Sequence, residues 1–117
     1  MTMALASLSE AGPKDAVAAW QVADARGGPA LIGEARAREL LVNAVLPLAA
    51  ARRREAVALR LLTGLPATPA YGKTAFLEAN LRPEKGRIAL TALEQQGLLG
   101  LIGEWCSRGG CGRCPLS

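Results

Sequence analysis

Cys106-Ser-Arg-Gly-Gly-Cys111-Gly-Arg-Cys114-Pro115 is the stretch in which residue type and spacing point to chemistry, a C-x4-C-x2-C arrangement of thiols. A metal site needs several thiolates converging on one centre, and short spacers let one loop wrap the ion. Gly109, Gly110 and Gly112 permit the positive φ angles that such wrapping requires and free backbone N–H groups to face sulfur. Pro115 keeps the chain from continuing as a helix. Cys106 is expected at the carboxyl end of the last helix, where partial negative charge disfavours a bare thiolate and a bound cation reverses the penalty. Arg108 and Arg113 would offset the residual negative charge of a cation held by three thiolates. Three cysteines cannot pair off among themselves, and in an intracellular setting their clustering suggests metal binding more than a disulfide framework.

Spacing alone leaves the metal open. Plant-type ferredoxins share the spacing of these three cysteines, but the distant fourth is missing here. A structural zinc takes four protein ligands, and the 117 residues include no histidine. The remaining position then falls to Glu104, another carboxylate, solvent, or a ligand from another domain or chain. A four-iron cluster on Cys106, Cys111 and Cys114 with one open iron is the other form. An iron–sulfur cluster is the first expectation and zinc the alternative; against both stands a loose tail with redox-sensitive thiols or a Cys111–Cys114 disulfide.

The elements that must position these thiols read as helices. Pro13 to Trp20 suits a short helix with Pro13 in its first turn. Apolar residues Leu40, Leu41, Ala44, Val45 and Leu48 recur at helical spacing from Glu34 to Arg54, and Pro47 predicts a kink or break just before it. A further helix follows from Glu55 to Leu65, stopped by Gly64-Leu65-Pro66. Ala67 to Gly72 reads as a turn, Thr74 to Leu81 as a short helix, and Arg82-Pro83-Glu84-Lys85-Gly86 as a connection. The last helix is predicted from about Ile88 to Trp105, with Leu98, Leu101, Ile102 and Trp105 on one side. Gly97, Gly100 and Gly103 recur within it, each costing about 1 kcal/mol against Ala, which close approach of another helix or a frayed, partly 3₁₀ segment would explain. The pattern thus predicts an all-α fold, a small irregular helical bundle with a cysteine-rich C-terminal loop. Its expected divisions are a loosely packed lead-in over 1–30, a helical domain over 31–105 and the metal-binding tail over 106–117.

Composition bounds what this scaffold can do. Half of the chain is hydrophobic but only 3% is aromatic, namely Trp20, Tyr71, Phe76 and Trp105. Burial therefore rests on Ala, Leu and Val, and Ala brings little apolar area at about 25 cal/mol per Å². Limited stability and reliance on a metal or partner are the expectation. No nucleophile–base pair, phosphate loop or dinucleotide fingerprint stands out, so no catalytic residue is assigned and an enzyme acting on its own is not expected. The longest apolar run, Leu40 to Ala51, is interrupted by Asn43 and Pro47 and falls short of the roughly 20 residues a membrane span needs. With no secretory leader in view, the reading is a soluble, cytoplasmic protein without a membrane partner. Net charge is +4. Arg52, Arg53, Arg54 and Arg60, and further on Arg82, Lys85 and Arg87, are the candidate phosphate contacts for a nucleic-acid partner. The competing reading is a solvated helix face, in which Glu34 pairs with Arg38 and Arg36 with Glu39.

From about Pro29 onward the chain resembles the C-terminal part of the bacterial domain-of-unknown-function 2851 family. The resemblance is carried by Ala30-Leu-Ile-Gly-Glu-Ala-Arg-Ala-Arg-Glu-Leu-Leu-Val-Asn-Ala-Val-Leu-Pro47, by Gln95-Gln-Gly-Leu-Leu-Gly-Leu-Ile-Gly-Glu-Trp-Cys106, and by the cysteine tail. Members of that family are several times longer, with an amino-terminal part compatible with a PD-(D/E)XK nuclease core. Some nucleases of that broad class hold an iron–sulfur centre on a cysteine cluster. The resemblance implies a fragment, a truncated frame or a stand-alone accessory piece, and carries no nuclease residue onto this chain.

Overall fold

The computed structural model describes residues 7–69, 71–81 and 89–115. Pro13 opens α1 (Pro13–Ala18), where its missing N–H is no loss. The chain then doubles back through an antiparallel bridge between Val22 and Ile32, with reciprocal N–H to carbonyl bonds of 3.0 and 3.1 Å. Between them the Asp24 carboxylate accepts the backbone N–H groups of Arg26 and Gly28. α2 (Glu34–Leu40) carries both expected ion pairs, Arg36–Glu39 and Arg38–Glu34, each at 2.8 Å.

Pro47 does not break the rod that α2 begins. It falls in the first turn of α3 (Leu46–Ala51), directly after a π-helical segment over Leu41–Val45. A proline at 47 cannot serve the carbonyl four residues back, at Asn43. The helix widens there instead, with the Leu46 N–H bonded to the Leu41 carbonyl. Arg53 then takes φ 60°, the left-handed position that usually falls to glycine after a helix. α4 (Glu55–Gly64) packs against α3. It ends where Leu65 turns extended before Pro66, as a pre-proline residue must. Gly64 has a steric reason to be glycine: a Cβ there would lie 2.6 Å from Pro13 Cγ.

After the short α5 (Ala75–Asn80), the chain bridges back to the end of α4. Ala67 N–H bonds to the Leu90 carbonyl at 3.0 Å and Ala92 N–H to the Leu65 carbonyl at 2.8 Å. α6 (Ala92–Glu104) begins on a capping box: the Thr91 hydroxyl accepts the Glu94 N–H, and the Glu94 carboxylate accepts the Thr91 N–H. The Thr91 backbone N–H, and secondarily its hydroxyl, hold the Glu94 carboxyl below the usual carboxylate range. This cap sets the start of α6 later than the Ile88 the periodicity suggested; Ile88 itself lies outside the described residues.

The fold is thus an irregular all-α bundle, and no strand longer than an isolated bridge occurs among the described residues. Its core is Leu41, Val42, Leu46, Ala49, Ala58, Leu61, Leu65 and Ala92, with no aromatic side chain among the buried residues. Two expectations are corrected. The lead-in is not loose throughout, because Leu8, Ala16 and Val17 bury in this same core. Nor, among the described residues, does another helix approach Gly97, Gly100 and Gly103, for a Cβ built at each would meet none of their atoms within 4 Å. The segment is regular α-helix all the same. Replacing these glycines one at a time by Ala should therefore raise stability by about 0.5–1 kcal/mol each. Thermal melts of Gly97→Ala, Gly100→Ala and Gly103→Ala check this; a loss would reveal a covered face.

Candidate functional site

α6 delivers the cysteine segment. At its end the Trp105 carbonyl accepts two backbone N–H groups, from Arg108 at 3.1 Å and from Gly110 at 2.8 Å. These bonds wind Cys106–Arg108 into a 3₁₀ turn and bring Gly109 to φ 67°. Gly110 is buried against Trp105, whose carbonyl oxygen would stand 2.9 Å from any Cβ there. A second turn follows, closed by the Arg113 N–H on the Gly110 carbonyl at 3.0 Å, with Gly112 at φ 87°. Gly109 and Gly112 thus take the positive φ expected of them, whereas Gly110 does not, and its N–H faces the Trp105 carbonyl and not a sulfur. All three cysteines are thiols; Cys111 is exposed, and Cys106 and Cys114 are half-buried. Arg108 reaches Glu104 at 3.5 Å across an exposed surface.

The three thiols do not by themselves make a donor set. Among the described residues no group of three or more Cys, Asp or Glu side chains is placed to hold a metal ion. Glu104, a candidate further ligand, is turned to Arg108. A cation on this segment therefore needs either a rearranged loop or donors from elsewhere.

Beside the buried Ala92, Leu98 and Ile102, a polar cluster that the apolar periodicity does not show holds α6. Gln95 is 0% exposed. Its Oε1 accepts the Thr68 N–H at 3.0 Å and the Thr68 hydroxyl at 2.9 Å, while its Nε2 donates to the Thr68 carbonyl at 2.9 Å and to Glu78 at 3.2 Å. The Thr74 hydroxyl, also buried, donates to the same Glu78 oxygen. Beside this cluster Gln96 donates to Asn43, which exchanges hydrogen bonds with the Tyr71 hydroxyl. A signal existed: Gln95 lies at helical spacing among Ala92, Leu98 and Ile102, a polar residue on an otherwise apolar stripe.

Among the described residues, two clefts stand out. One of about 500 Å³ lies between α1, α2 and the end of α4, with Lys14, Gln21, Glu34 and Arg38 on its walls. The other, about 330 Å³ and mostly apolar, lies between α3 and α4 and is lined by Leu46, Pro47, Leu59 and Leu62.

The candidate phosphate contacts divide. Arg60 donates to the carbonyls of Ala11, Leu8 and Ser9 at 2.9–3.2 Å, so it clamps the amino-terminal segment onto α4. Arg54 reaches the Ser9 hydroxyl at 3.5 Å. Arg52 and Arg53 are exposed at the α3–α4 corner. Arg82, Lys85 and Arg87 lie outside the described residues. No helix of the described residues is long and apolar enough to cross a membrane. No protein-family model matches the chain, and neither a curated protein nor a solved structure matches it.

Gln95→Leu should cost about 2–5 kcal/mol in urea unfolding, because it strands the buried N–H and carbonyl of Thr68. Gln95→Glu should be destabilising too, since it sets a second carboxylate against Glu78 and removes the donor to Thr68. A neutral result for Gln95→Leu would mean that α6 is located by apolar contact alone.

Proposed function

We propose that this chain is a non-catalytic helical module that carries a metal, as an iron–sulfur cluster or as zinc, on the segment from Cys106 to Cys114. One observation supports the reading above others: three thiols lie on one short stretch whose glycine-bearing turns are anchored to the end of α6 through the Trp105 carbonyl. The Ala and Leu core, without buried aromatics, gives such an ion work to do. Structural zinc in small domains contributes about 10–16 kcal/mol, as much as a whole domain's stability. The resemblance of residues beyond Pro29 to the domain-of-unknown-function 2851 family, a bacterial and cytoplasmic setting, and a partner domain or chain completing the ligand set belong to the same proposal.

Anaerobic purification followed by elemental analysis and a visible spectrum tests it. Metal should co-purify, brown colour identifying iron and its lack with bound zinc identifying zinc. Chelation, or Cys111→Ser, should lower melting temperature and cooperativity. A metal-free preparation that gains nothing from added iron, sulfide or zinc overturns the reading.

A second reading, association with nucleic acid, draws on the exposed Arg52 and Arg53 beside each other at the α3–α4 corner. Phosphate contacts make such binding fall steeply with salt. Titration of a duplex and a single strand at two salt concentrations should show affinity at low salt that Arg52→Ala/Arg53→Ala reduces at least several-fold. Absence of binding at low salt removes the idea.

A further inference from the structure

We propose that Cys111 and Cys114 are half of a zinc site that a second copy of this chain completes, four thiolates from two chains holding one ion. The inference rests on the metal-binding reading above and narrows it to a ligand set. Its starting point is the way Gly110 divides the segment. The Gly110 N–H is bonded to the Trp105 carbonyl at 2.8 Å, and Gly110 is buried with no room for a Cβ. Cys106 therefore lies before that anchor in the chain, inside the loop it closes and within its own 3₁₀ turn. Cys111 comes after that anchor, within the turn closed by the Arg113 N–H on the Gly110 carbonyl, and Cys114 directly follows the turn. That division is consistent with the three thiols not forming one donor group.

A C-x2-C pair on a tight turn is the recurrent half of a zinc site, and the ion asks for two more soft donors. The chain has no histidine to supply them, and Glu104 already faces Arg108. An identical turn on a second copy supplies two thiolates in matching geometry, the self-complementary arrangement of a two-fold interface. Four thiols give up four protons to solvent as the ion binds, and the tetrathiolate zinc so formed is a dianion. Arg113, exposed on the same turn, brings one positive charge from each copy and neutralises it. Without metal the two Arg113 side chains would repel, which makes association depend on the ion.

Zinc titration of the full chain under anaerobic, reducing conditions, followed by sedimentation, tests this. The expected result is about 0.5 zinc per chain, with molecular mass doubling in step with binding and reverting on chelation. Cys111→Ser and Cys114→Ser should abolish both while circular dichroism shows helix content retained. Cys106→Ser should preserve both, and Arg113→Glu should weaken association about tenfold or more through added repulsion. One zinc per monomer, lost in Cys106→Ser, overturns the two-chain site and leaves the metal reading standing. So does an iron cluster that needs all three cysteines. No zinc or iron bound under any condition overturns both, and a dimer that forms equally without metal overturns the two-chain site.

Discussion

A carboxamide removed from water costs several kcal/mol unless each of its groups finds a partner. Gln95 meets that condition entirely through residues far away in sequence, chiefly the backbone of Thr68. The bonds that satisfy it also fix the rotation of α6 about its own axis, because a helix turned by one residue would carry the amide away from Thr68 and into the apolar layer. The backbone pairing of Leu65 with Ala92, and of Ala67 with Leu90, sets the height of α6 along α4. Rotation and height together determine where the end of α6 points, and with it where the cysteines stand. A polar contact in the middle of the bundle thus governs the placement of sulfur at its edge.

The rest of the bundle compensates for a core poor in large side chains. Ala49 on α3 and Ala58 on α4 leave little bulk where these two helices pack together, and Leu41, Leu46 and Leu61 are the large side chains fully buried in the same core. Pro47 would interrupt a regular helix here, but the π-helical turn before it keeps Leu41, Val42, Val45 and Leu46 all facing inward. The amino-terminal segment is recruited to the same core by Leu8 and is held by Arg60 on three carbonyls. In this use Arg60 satisfies backbone acceptors of the amino-terminal segment with its own donors.

Local signals were readable before any coordinates. Pro66 ends α4, Pro13 starts α1, and the Glu34–Arg38 and Arg36–Glu39 pairs form because residues three and four apart share a helix face. What escaped was whatever depends on a distant partner. Gln95 and Gln96 look alike in the sequence, yet one is sealed against Thr68 and the other reaches Asn43. Leu8 and Arg60 lie some fifty residues apart, and no periodicity links them. The capping box Thr91-Ala-Leu-Glu94 was local and went unread because the apolar pattern runs through it from Ile88. Gly97, Gly100 and Gly103 invited a packing explanation that the open space around them does not support. For the cysteines, the glycine turns followed from spacing, whereas convergence of three sulfurs did not: it depends on where Gly110 is anchored.

The cysteine segment differs in kind from a loop that only a metal can fold. Its two turns are closed by backbone bonds at Trp105 and Gly110, and its positive φ angles fall on glycines, so its shape costs little to hold without an ion. A cation binding such a preformed segment acts by linkage: it stabilises the folded chain in proportion to its preference for that chain over the unfolded one. At the end of α6 the Trp105 carbonyl is already engaged by two N–H donors, so less uncompensated negative charge faces the segment. On the proposed metal reading, ion and bundle would meet at a single hydrogen-bonded carbonyl. On that same reading, a change at Gly110 that disturbs this carbonyl would weaken ion binding without touching a cysteine.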